Sequence, residues 1–315
     1  MKYKEYDLVC FGTPLVEIMR KELENPLHMP FDFTGPYPSG DTAIMIDSAA
    51  NMGARTAYFG VVGNDDFGRC IKKRLENDGV DTSGVRSVDS ENTGIAFVAY
   101  FSDGCRKFIF TAPHSAARLL CQDDINYDVL SKTKWLHISG FPLCISESSR
   151  LAIKKALAFV DSEVKVSFDP NLRHEVMSNM QIRELCDEIL ERCDLFLPSA
   201  GEAALFSNMN TDEEGCRYFS GKGKLVVMKQ GKYGCVVYSD NEERRIPSFS
   251  VEEVDPTGAG DVFCGAFIAA VNQGKDIYEA GRFANAAGAL SVTKKGPMEG
   301  IVTRQDVEDY LKTAE

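Results

Sequence analysis

Apolar and polar residues alternate along the chain in short blocks, which predict strands and helices in turn. Apolar runs at residues 7–12 and 56–62 predict strands, and the patterns at 42–52 and 66–78 predict helices. Further strands are predicted at residues 135–138, 164–168, 195–197 and 225–228, and further helices at 258–271, 277–292 and 303–313. This alternation is typical of an α/β fold with a doubly wound, mostly parallel sheet flanked by helices.

One region breaks the alternation of strands and helices. Residues 95–101 and 107–111 are two β-rich runs joined by a turn that contains Asp103 and Gly104, which predicts a hairpin. Together with the stretch at 27–40, which is rich in proline and glycine, the hairpin would form a small β appendage. Such an appendage suits a lid over a site or a contact between subunits. A surface hairpin without a functional role is the alternative.

The chain contains no internal repeat, no low-complexity tract and no linker long enough to separate two domains. We therefore expect a single domain over residues 1–315, with a small β-sheet lid formed from about 18–38 and 92–112.

Composition narrows the classes of function. A formal net charge of −12 disfavours a nonspecific nucleic-acid binder, which needs a basic surface to displace counterions. ATP is not excluded, because backbone amides at a helix end and a metal ion bind phosphates whatever the net charge. No apolar run approaches the ~20 residues of a membrane span. Gly12, Pro14 and Glu17 also interrupt any signal-peptide core, so we expect no membrane partner. The ten cysteines are scattered without a CxxC pair, which is typical of reduced thiols in a cytosolic protein, so we expect a cytoplasmic location.

A turn that runs directly into an apolar helix lies at residues 255–267. The amides of Gly258, Ala259 and Gly260 would be unpaired donors at the helix N-terminus, where they and the helix dipole form an anion site. Asp261 would lie at its rim, and we expect the helix N-terminus to keep this carboxylate ionised. It would then accept the proton of a hydroxyl that attacks a bound phosphoryl group. Taken alone, the motif also fits a tight turn followed by an acidic residue.

Two common nucleotide motifs are absent from the sequence. No G-x-x-x-x-G-K-[ST] occurs, which excludes a P-loop NTPase. The glycines at 258, 260 and 265 do not match G-x-G-x-x-G, which disfavours a dinucleotide-binding turn.

Residues 255–267 resemble the C-terminal signature of the ribokinase-like (PfkB) carbohydrate kinases. The resemblance extends over essentially the whole chain, with its other segments in the family's order. These segments are 7–17, which ends in an acidic residue that grips the sugar; 39–53 and 60–68, the N-terminal signature; 168–173, similar to F-D-x-N-x-R; 199–202, at the family's N-x-x-E; 229–234, the nucleotide segment; and 291–296, the C-terminal loop. The resemblance implies a ribokinase-like fold with a β lid.

The resemblance also implies roles for the phosphoryl-transfer residues. Asp261 would be the general base for a primary sugar hydroxyl, and residues 258–260 the anion hole for the γ-phosphoryl group of ATP. Mg²⁺ would bridge the ATP phosphates, and Glu202 would help to organise it through water. Ser199 stands where the family has asparagine and would contact the nucleotide, or it would simply be the N-cap of a helix.

Further positions would bind the nucleotide and a monovalent cation. Those implied along the nucleotide are Lys229, Gly231, Gly234, Thr257, Asn285 and Gly288. Those that would supply a monovalent cation site are Asp255, Thr257, Ser291 and Gly296, which makes stimulation by K⁺ an expectation. Each nucleotide position has a simpler alternative: Lys229 as a solvated strand end, for example, or Gly288 as a residue that permits close helix packing.

The sugar side departs from the family pattern. Ser39 replaces the first glycine of G-G-x-x-x-N, and Ile44 replaces the sugar-binding asparagine. Gly40 and Asp41 remain as hydroxyl partners, although Asp41 would alternatively be only the N-cap of the following helix. Glu17 stands where ribokinases carry aspartate. The apolar Ile44 would suit a deoxy position or an apolar or aromatic substituent.

Arg173 could pair with a carboxylate or phosphate of the substrate, or with Asp169 at its own strand end. Four lid residues could touch the substrate or be buried at alternating strand positions: Phe97, Phe108, Phe110 and His114.

The sequence thus predicts an ATP-dependent sugar kinase that phosphorylates a primary hydroxyl of a ketose, pentose or related sugar. Its partners would be ATP and a small-molecule sugar, and it would form a homodimer through the lid. The alternatives are a nucleoside kinase of the same family and a catalytically silent paralogue that binds sugar or nucleotide as a regulator.

Overall fold

The structure is a computed structural model that describes residues 4–103, 105–172, 179–240 and 242–314. Its largest feature is a sheet of nine strands. In the order in which they lie side by side, its strands are β13 Glu242–Ile246, β12 Cys235–Ser239, β11 Leu225–Lys229, β10 Leu195–Phe196, β9 Lys165–Asp169, β8 Thr133–Ser139, β1 Tyr6–Phe11, β4 Thr56–Gly63 and β5 Asp81–Val88. The strands from β11 to β5 are parallel, and β12 and β13 extend one edge as an antiparallel hairpin.

Helices cover both faces of this sheet. They are α1 Asp41–Asn51, α2 Asp66–Asn77, α3 Tyr127–Ser131, α4 Glu147–Phe159, α5 Met180–Arg192, α6 Glu202–Ser207, α7 Asp212–Ser220, α8 Ala259–Asn272, α9 Ile277–Ser291 and α10 Arg304–Thr313. Successive residues of β1 point to opposite faces, so Leu8 and Cys10 join one hydrophobic core while Val9 and Phe11 join the other. A strand buried on both faces must be apolar throughout, which explains the apolar run of β1.

A second, four-stranded sheet forms the lid. Its strands lie in the order β3 Phe33–Ser39, β2 Leu15–Arg20, β6 Gly94–Tyr100 and β7 Arg106–Phe110. The hairpin of β6 and β7 is the one that the sequence predicts, although Gly104 of its turn lies outside the described residues. The first lid strand begins at Leu15, three residues before the predicted lid segment.

The predicted fold class is confirmed, but three strands of the main sheet were not predicted: β5, β12 and β13. Of these, β12 is apolar and buried, whereas β13 and β5 are not. The edge strand β13 has the sequence EERRI, of which only Ile246 is buried, so it lacks the apolar run that marks the central strands. The β5 strand is half-exposed and mostly polar for the same reason. Both lie at sheet edges, where burial no longer determines composition.

Close packing of α1 on α8 brings the first turns of both helices to the carboxyl edge of the parallel strands. A Cβ atom at Gly265 of α8 would lie 2.2 Å from the Met45 carbonyl oxygen of α1, so only glycine permits this approach. Ser48 of α1 donates a hydrogen bond of 2.9 Å to the carbonyl of Val262. In an α/β sheet this edge is where ligands bind. None of the helices within the described ranges is long and apolar enough to cross a membrane.

Candidate active site

Charged side chains from four elements meet at the carboxyl edge of the sheet. Asp169 ends β9 and Lys229 ends β11, while Asp41 and Asp261 stand in the first turns of α1 and α8. Buried carboxylates repel one another unless cations offset them, so this cluster is suited to bind positively charged or hydroxyl-bearing groups.

The turn before α8 has the geometry of an anion site. Gly258 is the N-cap of the helix with φ 81°, and a Cβ there would lie 3.0 Å from Ile44 Cδ1 and 3.1 Å from the Pro297 carbonyl oxygen. Within the described ranges the amides of Gly258 and Gly260 have no hydrogen-bond acceptor, and the Ala259 amide has only the Pro256 carbonyl, at 3.4 Å. These donors are therefore free to bind an oxyanion.

The carboxyl of Asp261 has a pKa well above its usual value. Burial is the main cause, and the negative charges of Asp41 and Asp169 raise the pKa further, whereas Lys229 lowers it. The structure therefore opposes the expectation that the helix N-terminus keeps this carboxylate ionised, because burial and neighbouring carboxylates outweigh the dipole. A buried carboxylate with high proton affinity is a stronger base once its proton has left.

Lys229 is a buried ion-pair partner, and the alternative of a solvated strand end is wrong. Its Nζ contacts Asp169 Oδ2, and both side chains are almost fully buried. Cys264 lies beside the pair, with its Sγ 3.4 Å from Asp169 Oδ2 and 3.5 Å from Lys229 Nζ. Burial lowers the pKa of the Lys229 ammonium, but the charge of Asp169 more than offsets it and raises the pKa above its usual value. A Cβ at Gly260 would lie 3.8 Å from this Nζ, so the lysine reaches the anion hole.

Glu202 is held beside this ion pair by backbone amides. Its Oε2 accepts a 2.6 Å hydrogen bond from the Ser199 amide and its Oε1 a 3.2 Å hydrogen bond from the Leu172 amide. Burial, reinforced by the charge of Asp169, raises its pKa to about 7. Ser199 is not a helix N-cap as the simpler alternative held, since Gly201 occupies that position.

The donor set fits magnesium bound through water. The described residues contain no group of three or more side chains that could cage a metal ion. They do offer hard carboxylate oxygens: those of Glu202, and Asp169 Oδ1, which is buried without a hydrogen-bond partner. Mg²⁺ prefers such oxygens and keeps most of its waters, so a site completed by nucleotide phosphates suits it.

Asp255 gathers the residues predicted for a monovalent cation. Its Oδ1 accepts hydrogen bonds from the Thr257 amide at 3.1 Å and from the Tyr100 hydroxyl at 2.9 Å, and its Oδ2 accepts one from the Gly296 amide at 2.9 Å. The Ser291 hydroxyl donates to the Gly288 carbonyl instead, within its own helix end. The structure thus joins Asp255, Thr257 and Gly296 directly.

Four residues predicted along the nucleotide also have structural contacts. The Asn285 side chain donates to the carbonyls of Ile246 and Pro247, each at 3.1 Å. Gly231 and Gly234 shape the turn after β11, with φ of 54° and 94°, and a Cβ at Gly234 would lie 2.0 Å from the Ile246 carbonyl oxygen. A Cβ at Gly288 would lie 3.4 Å from the Ala259 carbonyl oxygen, so this glycine does line the contact between α9 and α8. Nucleotide contact stays a prediction for all four.

On the sugar side, Glu17 has a free acceptor. The side chain is buried at 5% exposure, its Oε1 accepts a 2.8 Å hydrogen bond from Ser39, and its Oε2 has no partner among the residues that the structure describes. Burial raises its pKa to about 7, because the Ser39 hydrogen bond only partly compensates for lost water. A buried acceptor without a partner is a suitable site for a substrate hydroxyl.

Gly40, Asp41 and Ile44 lie at the start of α1. Gly40, with φ 114°, is the N-cap, so the alternative that Asp41 merely caps the helix is wrong. The Asp41 carboxylate accepts from its neighbouring Thr42 amide at 2.7 Å and from the hydroxyl of Ser139. Burial raises the pKa of this carboxyl. Ile44 is 2% exposed and packs against Gly258, so its contact with a substrate remains a prediction.

The lid strands separate the predicted aromatic residues. Phe108 and Phe110 lie on one face with their rings 5.2 Å apart, whereas Phe97 is in register with Ile109 on the opposite face. Because side chains alternate along a strand, Phe97 and Phe108 point to opposite faces of the lid. His114 is exposed in a short 3₁₀ turn. Arg173 lies outside the described residues, and its predicted contact cannot be placed.

Several residues of the site were missed at the level of sequence. Ser139 and Asn171 both contact Asp41, and Tyr100 and Arg106 of the lid both contact Thr257. Side chains alternate between the two faces of the predicted hairpin, and Tyr100 and Arg106 lie on the same face as Phe110. This alternation would have identified both residues from the sequence.

A family model described as pfkB family carbohydrate kinase matches residues 6–304. The chain belongs to the pfkB family of carbohydrate kinases. Among curated relatives, Probable fructokinase-5 of Arabidopsis thaliana is 32% identical over 289 residues, which are 88% of each chain, and Fructokinase-1 of Zea mays is 30% identical over 288 residues. This pfkB-family protein is therefore a carbohydrate kinase, as the sequence predicts.

Solved structures agree with this membership. A protein of E. coli provisionally named ribokinase II, in complex with ATP and Mg²⁺, superposes with a TM-score of 0.93 at 38% identity, over 98% of this chain and 99% of that chain. Fructokinase from Vibrio cholerae O395 (a double mutant), bound to fructose, ADP and potassium ion, gives a TM-score of 0.83 at 28% identity, over 98% and 100% of the two chains.

Proposed function

We propose that this carbohydrate kinase transfers the γ-phosphoryl group of ATP to a primary hydroxyl of a ketose, pentose or related sugar, with Asp261 as general base. The observation that carries the proposal is the juxtaposition of amides at Gly258 and Gly260, which have no acceptor within the described ranges, with the half-buried Asp261 carboxyl in the first turn of the same helix. Phosphoryl transfer needs these two parts: donors for the developing charge and an acceptor for the hydroxyl proton.

The transfer forms one bond to the γ-phosphorus and breaks another, and Asp261 takes up the proton that is released. The sugar oxygen forms a bond to the γ-phosphorus while its proton passes to Asp261. The bond from the γ-phosphorus to the β–γ bridging oxygen breaks, and its electron pair leaves with ADP. Residues 258–260 bind the transferring oxygens, and the ion pair of Lys229 with Asp169 lies beside them, since Lys229 Nζ would lie 3.8 Å from a Cβ at Gly260.

ATP would enter with Mg²⁺, which supplies charge neutralisation at the phosphates, and Glu202 would orient the ion through water. The solved relatives support both ligands, since one contains ATP and Mg²⁺. Potassium would bind near Asp255 and Gly296, a role supported by the potassium ion in the fructokinase from Vibrio cholerae. The remaining nucleotide positions keep their predicted roles.

Fructose is the first sugar to test, because the curated relatives named above are fructokinases at 30–32% identity. The buried Glu17 Oε2 and the Asp41 carboxylate would accept hydrogen bonds from sugar hydroxyls. The deciding assay is ADP release with Mg-ATP and K⁺ over a panel of ketoses, pentoses, sugar acids and nucleosides. Turnover with a sugar that is lost in Asp261→Asn supports the proposal, turnover only with a nucleoside supports the other kinase, and ATP binding without turnover supports the regulator.

Replacing Glu17 with glutamine should raise the KM for the sugar by about 10- to 100-fold, the cost of losing a hydrogen bond to a charged acceptor. The change preserves shape while it removes the negative charge that faces the cleft. Steady-state kinetics with saturating ATP give the sugar KM directly. Glu22→Gln, which removes the same charge from an exposed lid position, is the matched control. A sugar KM that is equal in the two variants would remove Glu17 from the binding site.

We also propose a homodimer through the outer face of the lid. Ile18, Phe97 and Ile109 form a row across β2, β6 and β7, and Ile109 is 54% exposed. Apolar side chains on an exposed sheet face favour association with a second copy. Sedimentation velocity should show a dimer that Ile109→Asp converts to monomer, whereas Leu151→Asp on the exposed side of α4 leaves it unchanged. A monomeric wild-type protein would contradict the proposal.

A further inference from the structure

Two side chains of the lid face the anion hole as a pair. Tyr100 of β6 and Arg106 of β7 are cross-strand partners, so they lie on the same face of the lid as Phe108. On β2 the same face carries Glu17, in register with Ala96. This inner face covers the cleft in which the sugar and the phosphoryl group would meet.

Both side chains reach the residue that directly precedes the anion hole. The Tyr100 hydroxyl lies 2.9 Å from Thr257 Oγ1, and Arg106 Nη1 donates to the same oxygen at 3.3 Å. Thr257 is followed at once by Gly258, whose amide has no acceptor within the described ranges. The guanidinium of Arg106 therefore stands one residue away from the donors that would hold the phosphoryl group.

Among the residues that the structure describes beside the anion hole, Arg106 is a cation without an ion-pair partner. Lys229, on the core side of the hole, is paired with Asp169. Arg106 forms no ion pair with any residue that the structure describes, and its positioning contacts are Thr257 and the ring of Phe108, 5.9 Å from its Cζ. A guanidinium has five N–H donors in a planar fork, and one contact with Thr257 leaves the others free.

We propose that Arg106 is a further catalytic residue, whose guanidinium contacts the transferring phosphoryl group when the lid is closed. The inference rests on the proposed function and deepens it. The forked donors match the oxygens of a phosphoryl group and add charge stabilisation opposite residues 258–260. Arg106 neither gives nor takes a proton, so the bonds made and broken are those stated above.

Its position on the lid gives the contact a second consequence. A cation carried by the lid stabilises the phosphoryl group only after closure, so transfer is favoured in the state that excludes water. With the lid open, the Arg106 guanidinium would be away from the phosphoryl group. Arg106 would then not accelerate the transfer of that group to water.

Arg106→Met should lower kcat by about 10²-fold, as removal of one oxyanion donor typically does, with little change in the KM for ATP or sugar. Arg106→Lys should recover part of the loss, since it restores the charge without the fork. Lys21→Met removes an exposed positive charge from the lid and is the matched control. An unchanged kcat in Arg106→Met would overturn the inference, and so would a loss confined to the KM of an acidic sugar, which would place Arg106 on the acceptor.

A binding measurement separates this inference from the proposed function. ADP, Mg²⁺ and aluminium fluoride together mimic the transferring phosphoryl group, and their effect on the melting temperature requires no turnover. We expect stabilisation of wild type and Lys21→Met that is strongly reduced in Arg106→Met, while ADP and Mg²⁺ alone stabilise all three equally. Equal stabilisation of all three by aluminium fluoride would overturn the role of Arg106, even where no sugar acceptor has been found.

Discussion

Replacing Asp261 with asparagine should lower kcat by about 10²–10⁴-fold, the usual contribution of a general base. Asparagine has nearly the same shape but cannot accept the proton of the sugar hydroxyl. ATP affinity should change little, because the amides of residues 258–260 remain in place. Steady-state kinetics with the sugar found in the panel, together with nucleotide binding by calorimetry, measure the two quantities separately.

The pH dependence of the wild-type kcat provides an independent check on the same residue. Burial, then the charges of Asp41 and Asp169, raise the pKa of Asp261, whereas Lys229 lowers it. A base works only when deprotonated, so kcat should fall as the pH drops through this raised pKa, well above the range of an ordinary aspartate. The residual activity of Asp261→Asn should lack that acidic limb.

Asp66→Asn is the matched control for both measurements, because Asp66 also stands in the first turn of a helix, α2, but is exposed there. It should leave kcat and the pH profile as in wild type. Unchanged turnover in Asp261→Asn, or an acidic limb that persists in it, would show that another group takes the proton.

Replacing Lys229 with methionine should destabilise the protein by about 3–5 kcal/mol, the cost of leaving a buried charge without its partner. The ion pair with Asp169 is almost fully buried, and within the described part of the chain Asp169 Oδ1 already lacks a hydrogen bond. Loss of the ammonium removes the positive charge that pairs with Asp169 and that lowers the pKa of Asp261. Urea or guanidinium denaturation measures the free energy of unfolding.

Two further variants test whether the ion pair is the cause. Lys232→Met removes an exposed lysine from the turn that follows the same strand, and we expect little change in its free energy of unfolding. The double variant Lys229→Met with Asp169→Leu should recover much of the lost stability, because neither partner is then left charged in the interior. A loss in Lys229→Met no larger than that in Lys232→Met would show that the pair adds no stability.

Local sequence chemistry predicted the centre of the site. The turn at 255–260 needs glycine for its positive φ and close contacts, and the helix after it needs apolar residues, so both can be read from neighbouring positions. The lid hairpin was predicted for the same reason, since its strands and turn are adjacent in the chain. Motif order then indicated the family, which the comparisons confirm.

The sequence misjudged properties that depend on distant segments. The ionisation of Asp261 depends on Asp41 and Asp169, which lie far away in the chain, so a rule about its own helix could not predict its pKa. Lys229 was open to interpretation as a solvated strand end because its partner Asp169 is 60 residues away. The exposed edge strand β13 was missed because no burial pattern marks it.

Neighbouring residues were enough to predict the α/β alternation, the glycine turn with its general-base candidate, and the family. Those features depend on residues that are close together in the chain, where steric and hydrogen-bonding requirements act directly. Only the assembled fold shows that Lys229 pairs with Asp169, that Glu17 has a buried oxygen with no hydrogen-bond partner in the described ranges, and that Arg106 contacts Thr257. These are contacts and electrostatic environments between distant segments, and they exist only once the lid and the strand ends have come together in space.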